Sequence, residues 1–496
     1  MTSLLLAIDQ GTTNTKALLV NRAGQAVFRV SEPVSLITNA KGFVEQDPIE
    51  LWNSVERAAT TAAQHARQSG AAIEGLAIAN QRETALAWHR ETGGPLAPAI
   101  SWQCRRSTEL CRSISDSSTL IRRSTGLPLD PVLTSTKWAW MLANLPTIRD
   151  ATSNSDLCLG TVDTWLLFKL TNKQTHITDT TNASRTGLLD LRLLRWNPEL
   201  LRLFSIPLAA LPEIRSSSEH YGTVQSIPEL AGVPIVAAIG DSHAALAGHG
   251  SFSPGTVKAT YGTGSSLMTL TGTLLDDTPQ LARTGAWSIG EQTQFALEGN
   301  IFMSGSALQW VGEFLGLSHP AEDAAALAET VADSEGVYFV PAMVGLGAPH
   351  WNASAHGLIC GLGRAHGAAH LARAAIEAIC YQVADVLFAM EESMGVHIRE
   401  LMADGGATRN RRLMQFQADI LGRPVVRARD EELSALGAAY LGGITLGWWP
   451  SMQSVSELSR TSESFMPSMP LPGRDLRYRD WGEAVRKTQS LKDHSA

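Results

Sequence analysis

The sequence predicts an α/β protein of two large domains facing a shared cleft, and three observations predict it. The chain has 496 residues, more than one hydrophobic core ordinarily serves. Apolar runs of strand length end in small polar or charged residues and lead into stretches of helical spacing, as strands followed by packing helices do. The strand–turn–strand pattern that opens the chain also returns half a chain length later, as two related halves would give.

That opening pattern runs from Leu4 to Val20. An apolar run ends at Asp9, a turn holds Gly11, Thr12, Thr13, Asn14 and Thr15, and a second apolar run, Ala17 to Val20, follows Lys16. Two apolar runs around a glycine-containing turn read as a hairpin. Gly11 lets backbone approach a ligand closely, and the turn offers amides and hydroxyls to a phosphate. Lys16 adds a cation, and Asp9 can hold a hydrated Mg²⁺. Taken alone, the turn reads equally well as an ordinary hydroxyl-rich hairpin. The spacings G-x-x-x-x-G-K-[ST] and G-x-G-x-x-G are absent. Both of those lead into a helix, whereas this turn leads into a strand.

Residues 47–70 carry helical spacing, with Leu51, Trp52, Val55 and Ala59 on one face. Ile73 to Asn80 reads as a buried strand and ends in Gln81-Arg82-Glu83-Thr84. Charged residues just past a strand end are where α/β proteins place ligand contacts, although a surface ion pair is the plainer reading. Thr84 to Trp88 reads as a further strand, and Trp102, in Trp102-Gln103-Cys104-Arg105-Arg106, is an aromatic face for a carbon skeleton or for packing. Thr136 to Trp140 lies in a helix, Gly160 to Trp165 at a strand-to-helix junction, and Thr178 to Thr186 in a polar loop. Pro234 to Ile239 is a strand ending in Gly240-Asp241-Ser242-His243, with a helix from Ala244. Asp241 there is placed as a base or metal anchor, or, in the plainer reading, as a helix N-cap. His243 reads as structural.

The second strand–turn–strand spans Val257 to Leu270 around Tyr261-Gly262-Thr263-Gly264-Ser265-Ser266. A strand over 296–302, a helix opened by Ser304-Gly305-Ser306, a strand at Val337 and a long helix over 368–395 follow. Leu401 to Ala403 ends in Asp404-Gly405-Gly406, two glycines that let backbone approach a flat ligand such as adenine. Leu433 to Trp449, rich in Gly and Ala, reads as a buried small-residue helix; a membrane span wants about 20 strongly apolar residues. The tail beyond Thr461 is Pro-rich and then polar.

Composition narrows the function classes. Hydrophobic content of 44% and charged content of 18% are ordinary for a globular protein. A net charge of −8 argues against a dedicated nucleic-acid or anionic-membrane binder. Cys104, Cys111, Cys158, Cys360 and Cys380 are scattered, with no C-x-x-C pair, so neither a disulfide framework nor a zinc site is expected. A reducing, cytoplasmic setting fits. No basic region precedes the first apolar run and Asp9 interrupts it, so no signal peptide is expected.

Taken together, these stretches resemble the FGGY family of carbohydrate kinases over nearly the whole chain, with its glycerol kinases as the nearest pattern. The resemblance is carried by Asp9-Gln10-Gly11-Thr12-Thr13, Asn80-Gln81-Arg82-Glu83-Thr84, Trp102-Gln103-Cys104-Arg105-Arg106, Thr181-Asn182-Ala183-Ser184-Arg185-Thr186 and Tyr261-Gly262-Thr263-Gly264. It continues through Gly345-Leu346-Gly347-Ala348-Pro349, Asp404-Gly405-Gly406 and Ala435-Leu436-Gly437-Ala438-Ala439. It implies two ribonuclease-H-like domains of the actin, Hsp70 and sugar-kinase type, over residues 1–250 and 251–460 with a tail over 461–496, and ATP and Mg²⁺ in the cleft between them. By resemblance, Thr12, Thr13, Asn14 and Lys16 match the first nucleotide-phosphate turn and Thr263 the second. Gly305, Gln309, Gly406 and Asn410 match positions around ribose and adenine. Arg82, Glu83, Trp102 and Asp241 match substrate positions, with Asp241 as the base and Asp9 and Asp241 as the metal carboxylates. Members are often dimers or tetramers, and no interface is legible in the sequence.

Three departures bear on the substrate. Glycerol kinases carry a tyrosine, a glutamine and a phenylalanine where this chain has Val132, Ser242 and Ser266. The pocket is expected to be wider and differently polar. The implied reaction is phosphorylation of a terminal hydroxyl of a small polyol, glycerol to glycerol 3-phosphate serving as reference; a larger polyol or ketose such as erythritol, xylitol or xylulose is the alternative. A nucleotide-binding regulator without turnover is a third reading, opposed by the joint presence of Asp9, Arg82, Glu83 and Asp241. Residues 222–234 lack the glycine-rich basic loop that some bacterial glycerol kinases use for a sugar-bisphosphate effector, so that regulation is not expected here.

Overall fold

The computed structural model describes residues 2–250, 252–428, 430, 432–458 and 462–490. Strands β1 (Thr2–Gln10), β2 (Asn14–Asn21), β3 (Ala26–Pro33), β4 (Ala71–Asn80) and β5 (Ile235–Gly240) form one sheet in the order β5-β4-β1-β2-β3. Strands β6 (Thr256–Tyr261), β7 (Ser265–Leu270), β8 (Ala282–Ile289), β9 (Gln292–Ile301), β10 (Glu400–Asp404), β11 (Val425–Ala428) and β12 (Ser462–Phe465) form a second, ordered β8-β9-β7-β6-β10-β11-β12. The run β11-β10-β6-β7-β9 repeats the plan of the first sheet. In each, two parallel neighbours lead into a strand that opens an antiparallel meander. The recurrence read from two short turns is therefore a repeat of whole sheets.

The helices that frame the cleft are α1 (Pro48–Gln68), α2 (Thr180–Arg185), α3 (Asp241–Gly248), α4 (Gly305–Phe314), α5 (Ala368–Met394), α6 (Arg411–Leu421), α7 (Leu433–Thr445) and α8 (Leu471–Ser490). The Asp47 carboxylate caps α1 by accepting from the Ile49 N–H. On one face of β1, Leu4, Leu6 and Ile8 pack with Leu51, Val55 and Ala62 of α1. On the other face, Leu5 and Ala7 pack with Leu436, Ala439 and Leu441 of α7. Both faces are covered, which is why β1 reads as a continuous apolar run. The same cluster takes in Met268 of β7 and Ala296 of β9, so it joins the two sheets. Helices α3 and α7 cross so closely that a Cβ at Gly437 would meet the Ala244 carbonyl oxygen. The small residues of α7 serve this crossing, and no helix among the described residues is long and apolar enough to cross a membrane.

Two stretches differ from expectation. The polar run from Thr178 to Thr186 is not a loop: Ile177–Asp179 forms a strand and α2 follows, all of it buried. Asp179 makes this possible. Its carboxylate accepts from the Thr181 and Asn182 backbone N–H groups, the Thr181 and Ser217 hydroxyls and the Asn182 amide, so a polar helix is buried with its donors satisfied. The C-terminal stretch is also built in. β12 pairs with β11, and Trp481, Ala484 and Val485 of α8 enter the core around α5.

Register sets the site. Gln10, Asn80 and Gly240 lie level at the ends of β1, β4 and β5. The first turn, the Arg82 loop and Asp241 thus leave one sheet edge together, the edge where parallel sheets place ligands. Thr260 of β6 lies level with Asp404 of β10 and with Ser266 of β7, so the second turn and the Gly405-Gly406 loop leave the second sheet together.

Candidate active site

The first turn is tight because the Gly11 N–H donates to the Asn14 carbonyl at 2.9 Å, and a Cβ at Gly11 would stand 3.1 Å from that oxygen. Thr13 and Asn14 are exposed at its tip. Below it, the Gln46 amide donates to the Thr12 carbonyl at 2.8 Å. The Trp102 indole donates to the Thr12 hydroxyl at 2.9 Å. Lys16 leaves the turn to pair with Glu432, at 2.7 Å, from the loop ahead of α7. Asp9 is pushed up to about 7, first by burial and then by the neighbouring Asp241 and Glu432 charges, against the pull of Lys16.

Arg82 and Glu83 are not the surface ion pair of the plainer reading. Glu83 is buried with φ of 61°, a left-handed backbone that L side chains rarely adopt. Its carboxylate accepts from Arg185 Nε at 2.6 Å, and its carbonyl from Thr134 Oγ1 at 3.2 Å and Lys137 Nζ at 3.3 Å. Arg82 Nε stands 3.2 Å from Asp241 Oδ1, and Nη2 stands 2.8 Å from Glu298 Oε1. Its Nη1 is closed to solvent without a protein partner. Glu298, fully buried in β9, also meets Arg185 Nη1 at 2.8 Å. Burial pushes the Glu298 carboxyl up, but Arg185 and Arg82 more than offset this and hold it well below the usual range.

Asp241 is the first residue of α3 rather than its cap; Gly240 holds the cap position. Its carboxylate meets Arg82 and the Ser242 N–H at 2.6 Å, with 38% of the side chain exposed in the cleft. Burial raises this carboxyl, and Arg82 draws it back. His243 is packed away, its Nε2 against Thr284 Oγ1 at 3.1 Å, and burial pushes it well below its ordinary value, so it is neutral. The Gly240 N–H donates to Thr181 Oγ1 at 2.8 Å, so the buried α2 steadies the peptide ahead of Asp241.

The three departing positions separate. Ser242 and Ser266 meet, Oγ to Oγ, at 3.0 Å, and Lys258 Nζ of β6 donates to Ser242 Oγ at 2.8 Å. Val132 lies in the loop ahead of the Thr134–Asn144 helix, half-buried against the cluster of Leu133, Trp138 and Met141, and its carbonyl accepts from Lys137. Glu298, Lys258, Arg185 and Glu432 carry no assigned role in the sequence reading. The signal for two of them is an ionisable residue inside an otherwise apolar strand, as in Ala296-Leu297-Glu298 and Val257-Lys258-Ala259.

On the far side, Thr263 is exposed at the second turn and its carbonyl accepts from the Ser304 and Ser306 N–H groups at 3.0 and 3.1 Å. A Cβ at Gly305 would stand 2.7 Å from the Gly262 carbonyl, so α4 docks directly on the turn. Gly405 abuts the Tyr261 backbone with φ of 95°, while nothing lies within 4 Å of a Cβ at Gly406. Open space at Gly406 fits backbone approach by a flat ring; Gly405 is required by packing. Gln309 donates to Glu313 at 2.7 Å, and Asn410 caps α6 by accepting from the Leu413 N–H at 3.0 Å.

These groups make one polar edge from two sheets. It holds two carboxylates, Asp9 and Asp241, two hydroxyl-bearing turns, a cation at Lys16 and a buried guanidinium with a spare donor. Asp9 Oδ1 is closed to solvent and unpartnered, as a carboxylate oxygen kept for a hydrated cation would be. Among the described residues no group of three His, Cys, Asp or Glu could hold a metal, so Mg²⁺ here would take its other ligands from water and phosphate, as it usually does.

Family models for the FGGY family of carbohydrate kinases match the chain, the N-terminal domain over residues 4–248 and the C-terminal domain over residues 257–446. The chain is 44% identical to a glycerol kinase of Burkholderia cenocepacia (strain HI2424), over 99% of this chain and 98% of that one. It is 42% identical to one of Paraburkholderia phymatum, over 99% of each. Among solved structures it is similar to Plasmodium falciparum glycerol kinase with ADP, with a TM-score of 0.92, 31% identity and 99% of each chain covered. It is also similar to xylulose kinase from Rhodospirillum rubrum, with a TM-score of 0.87, 25% identity and 98% and 99% covered. With both family models matched and whole-length relatives at this identity, the chain belongs to the FGGY family of carbohydrate kinases and is a glycerol-kinase-like kinase.

Proposed function

We propose that the protein transfers the γ-phosphoryl group of ATP to a terminal hydroxyl of a small polyol, with glycerol to glycerol 3-phosphate as the reference reaction and Asp241 as general base. The observation that carries this is the Arg82–Asp241 contact at 3.2 Å, at the level ends of β4 and β5 and open to the cleft. Arg82 fixes the carboxylate, and its Nη1, closed to solvent, has no protein partner. The attacking hydroxyl gives its proton to Asp241 as its oxygen bonds the γ-phosphorus, and the bond from that phosphorus to the bridging oxygen breaks to release ADP. Such a transfer needs alignment and charge neutralisation more than covalent help. Thr12, Thr13, Asn14, Lys16 and Thr263 would hold phosphates; Gly305, Gln309, Gly406 and Asn410 would line the nucleoside end. Asp9 and Asp241 would hold Mg²⁺, which would neutralise phosphate charge. Trp102 offers its half-exposed ring to the carbon side of the polyol.

The test is ADP release from Mg-ATP with glycerol, dihydroxyacetone, erythritol, xylitol, ribitol and xylulose. Turnover with one or more polyols is expected. Nucleotide binding without turnover of any would overturn the reading in favour of a binding protein. A substrate longer than glycerol is favoured by a specific observation, the paired serines 242 and 266 beside the base.

A further inference from the structure

Lys258, Ser242, Ser266 and Glu298 form a hydrogen-bonded chain beside Asp241 and Arg82. Lys258 and Thr260 share a face of β6, and the register carries that face through Ser266 of β7 to Glu298 and Asn300 of β9. Lys258 Nζ donates to Ser242 Oγ at 2.8 Å, the two serine oxygens stand 3.0 Å apart, and Ser266 Oγ donates to Glu298 Oε1 at 3.2 Å.

The chain has only one polarity. Glu298 is bound by two guanidinium groups and ionised, so it only accepts. Ser266 must therefore direct its hydrogen at Glu298, and its oxygen accepts from Ser242. Ser242 has then spent its own hydrogen, and its oxygen accepts from Lys258. Each hydroxyl oxygen takes two acceptor bonds, so each serine is left with one acceptor site and no donor. Ser242 is 9% exposed and Ser266 half-buried, so these acceptor sites are largely shielded from bulk water. Water compensates poorly there for a mismatched group.

We propose that Ser242 and Ser266 form an acceptor-only edge that reads a hydroxyl on a substrate carbon beyond those held at Arg82 and Asp241. The pocket thus takes an alditol longer than glycerol in preference to the ketose of equal length. This rests on the polyol-kinase reading above. A further hydroxyl donates to this edge. A carbonyl oxygen there presents lone pair to lone pair and leaves the edge unpaired.

The experiment measures kcat/KM for glycerol, erythritol, erythrulose, xylitol and xylulose with the wild-type protein, Ser266→Ala, Ser242→Ala and Ser266→Thr. Expected is a wild-type preference for each alditol over its ketose of about tenfold or more, the size of one unpaired buried acceptor. Either alanine variant should cut the alditol-to-ketose ratio about tenfold, chiefly through KM. Ser266→Thr, which keeps the hydroxyl, should restore it. A wild-type preference for ketoses, or a ratio that both alanine variants leave in place, would overturn the inference while polyol kinase activity stands. No turnover of any of the five by wild-type protein that still binds ATP would overturn the polyol-kinase reading and this inference with it.

Discussion

Arg82 and Glu298 pair at 2.8 Å, one from the end of the first sheet and one from a strand of the second. Glu298 is fully buried and also balances Arg185, which in turn holds the backbone-strained Glu83. One carboxylate thus ties the Arg82 and Glu83 loop of the first sheet to a strand of the second. Removing one partner of a buried ion pair costs about 3–5 kcal/mol, because the other charge stays buried and uncompensated. Glu298→Gln is expected to lose stability of that order, read as a lower midpoint in urea unfolding at an unchanged m-value. A midpoint within error of wild type would refute the tie.

Asp241 is held by Arg82 and by the peptide of Ser242, so its amide analogue keeps the shape of the site. Asp241→Asn is expected to bind ATP and ADP with little change in calorimetry and to lose about 10²–10⁴-fold in kcat, the worth of general-base help. Near-normal turnover would remove Asp241 from the role of base.

Asp9 carries a cost that shows in metal-free protein. Its carboxyl is raised to about 7 in the fold from an ordinary 3.8, with burial the main cause. The folded state therefore binds a proton more tightly than the unfolded chain, and stability falls as pH rises from about 4 through 7. Above that window the wild-type protein carries a poorly solvated charge, which Asp9→Asn lacks. In EDTA at pH 8 the variant is expected to be more stable by about 1–3 kcal/mol, the gain shrinking as pH is lowered through the window. Equal pH profiles for the two proteins in thermal unfolding would contradict this.

The hairpins around Gly11 and Gly262 were legible because an apolar run broken by a glycine turn has few other solutions, and α1 because Leu51, Trp52, Val55 and Ala59 recur at helical spacing. Helix α2 was not, since its polar residues look like a loop until Asp179 is seen to satisfy them. The partners of the site were hidden for the same reason. Arg185 and Glu83 stand 102 positions apart, and Ser242 and Ser266 24 apart, so only the folded register brings them together. Asp241 and Arg82 stood out by their places just past strand ends, where a helix cap and a surface ion pair were the plainer readings; the base and substrate roles expected of them came with the family resemblance.

Under the proposed function Trp102 would serve both the first turn and the polyol, and separate variants can divide the two. Its indole N–H donates to the Thr12 hydroxyl at 2.9 Å, in the first turn, while the residue is 38% exposed. Trp102→Phe keeps a ring and removes the hydrogen bond, worth about 0.5–1.5 kcal/mol. It is expected to raise KM for ATP two- to tenfold and to move KM for the polyol less. Trp102→Ala removes the ring as well, and should add a comparable or larger rise in KM for the polyol through lost contact with its carbon face. Initial-rate measurements with each substrate varied in turn decide between the two effects. If both variants raise only the ATP KM, Trp102 supports the turn and takes no part in the polyol pocket; if both raise only the polyol KM, the Thr12 contact carries no weight in nucleotide binding.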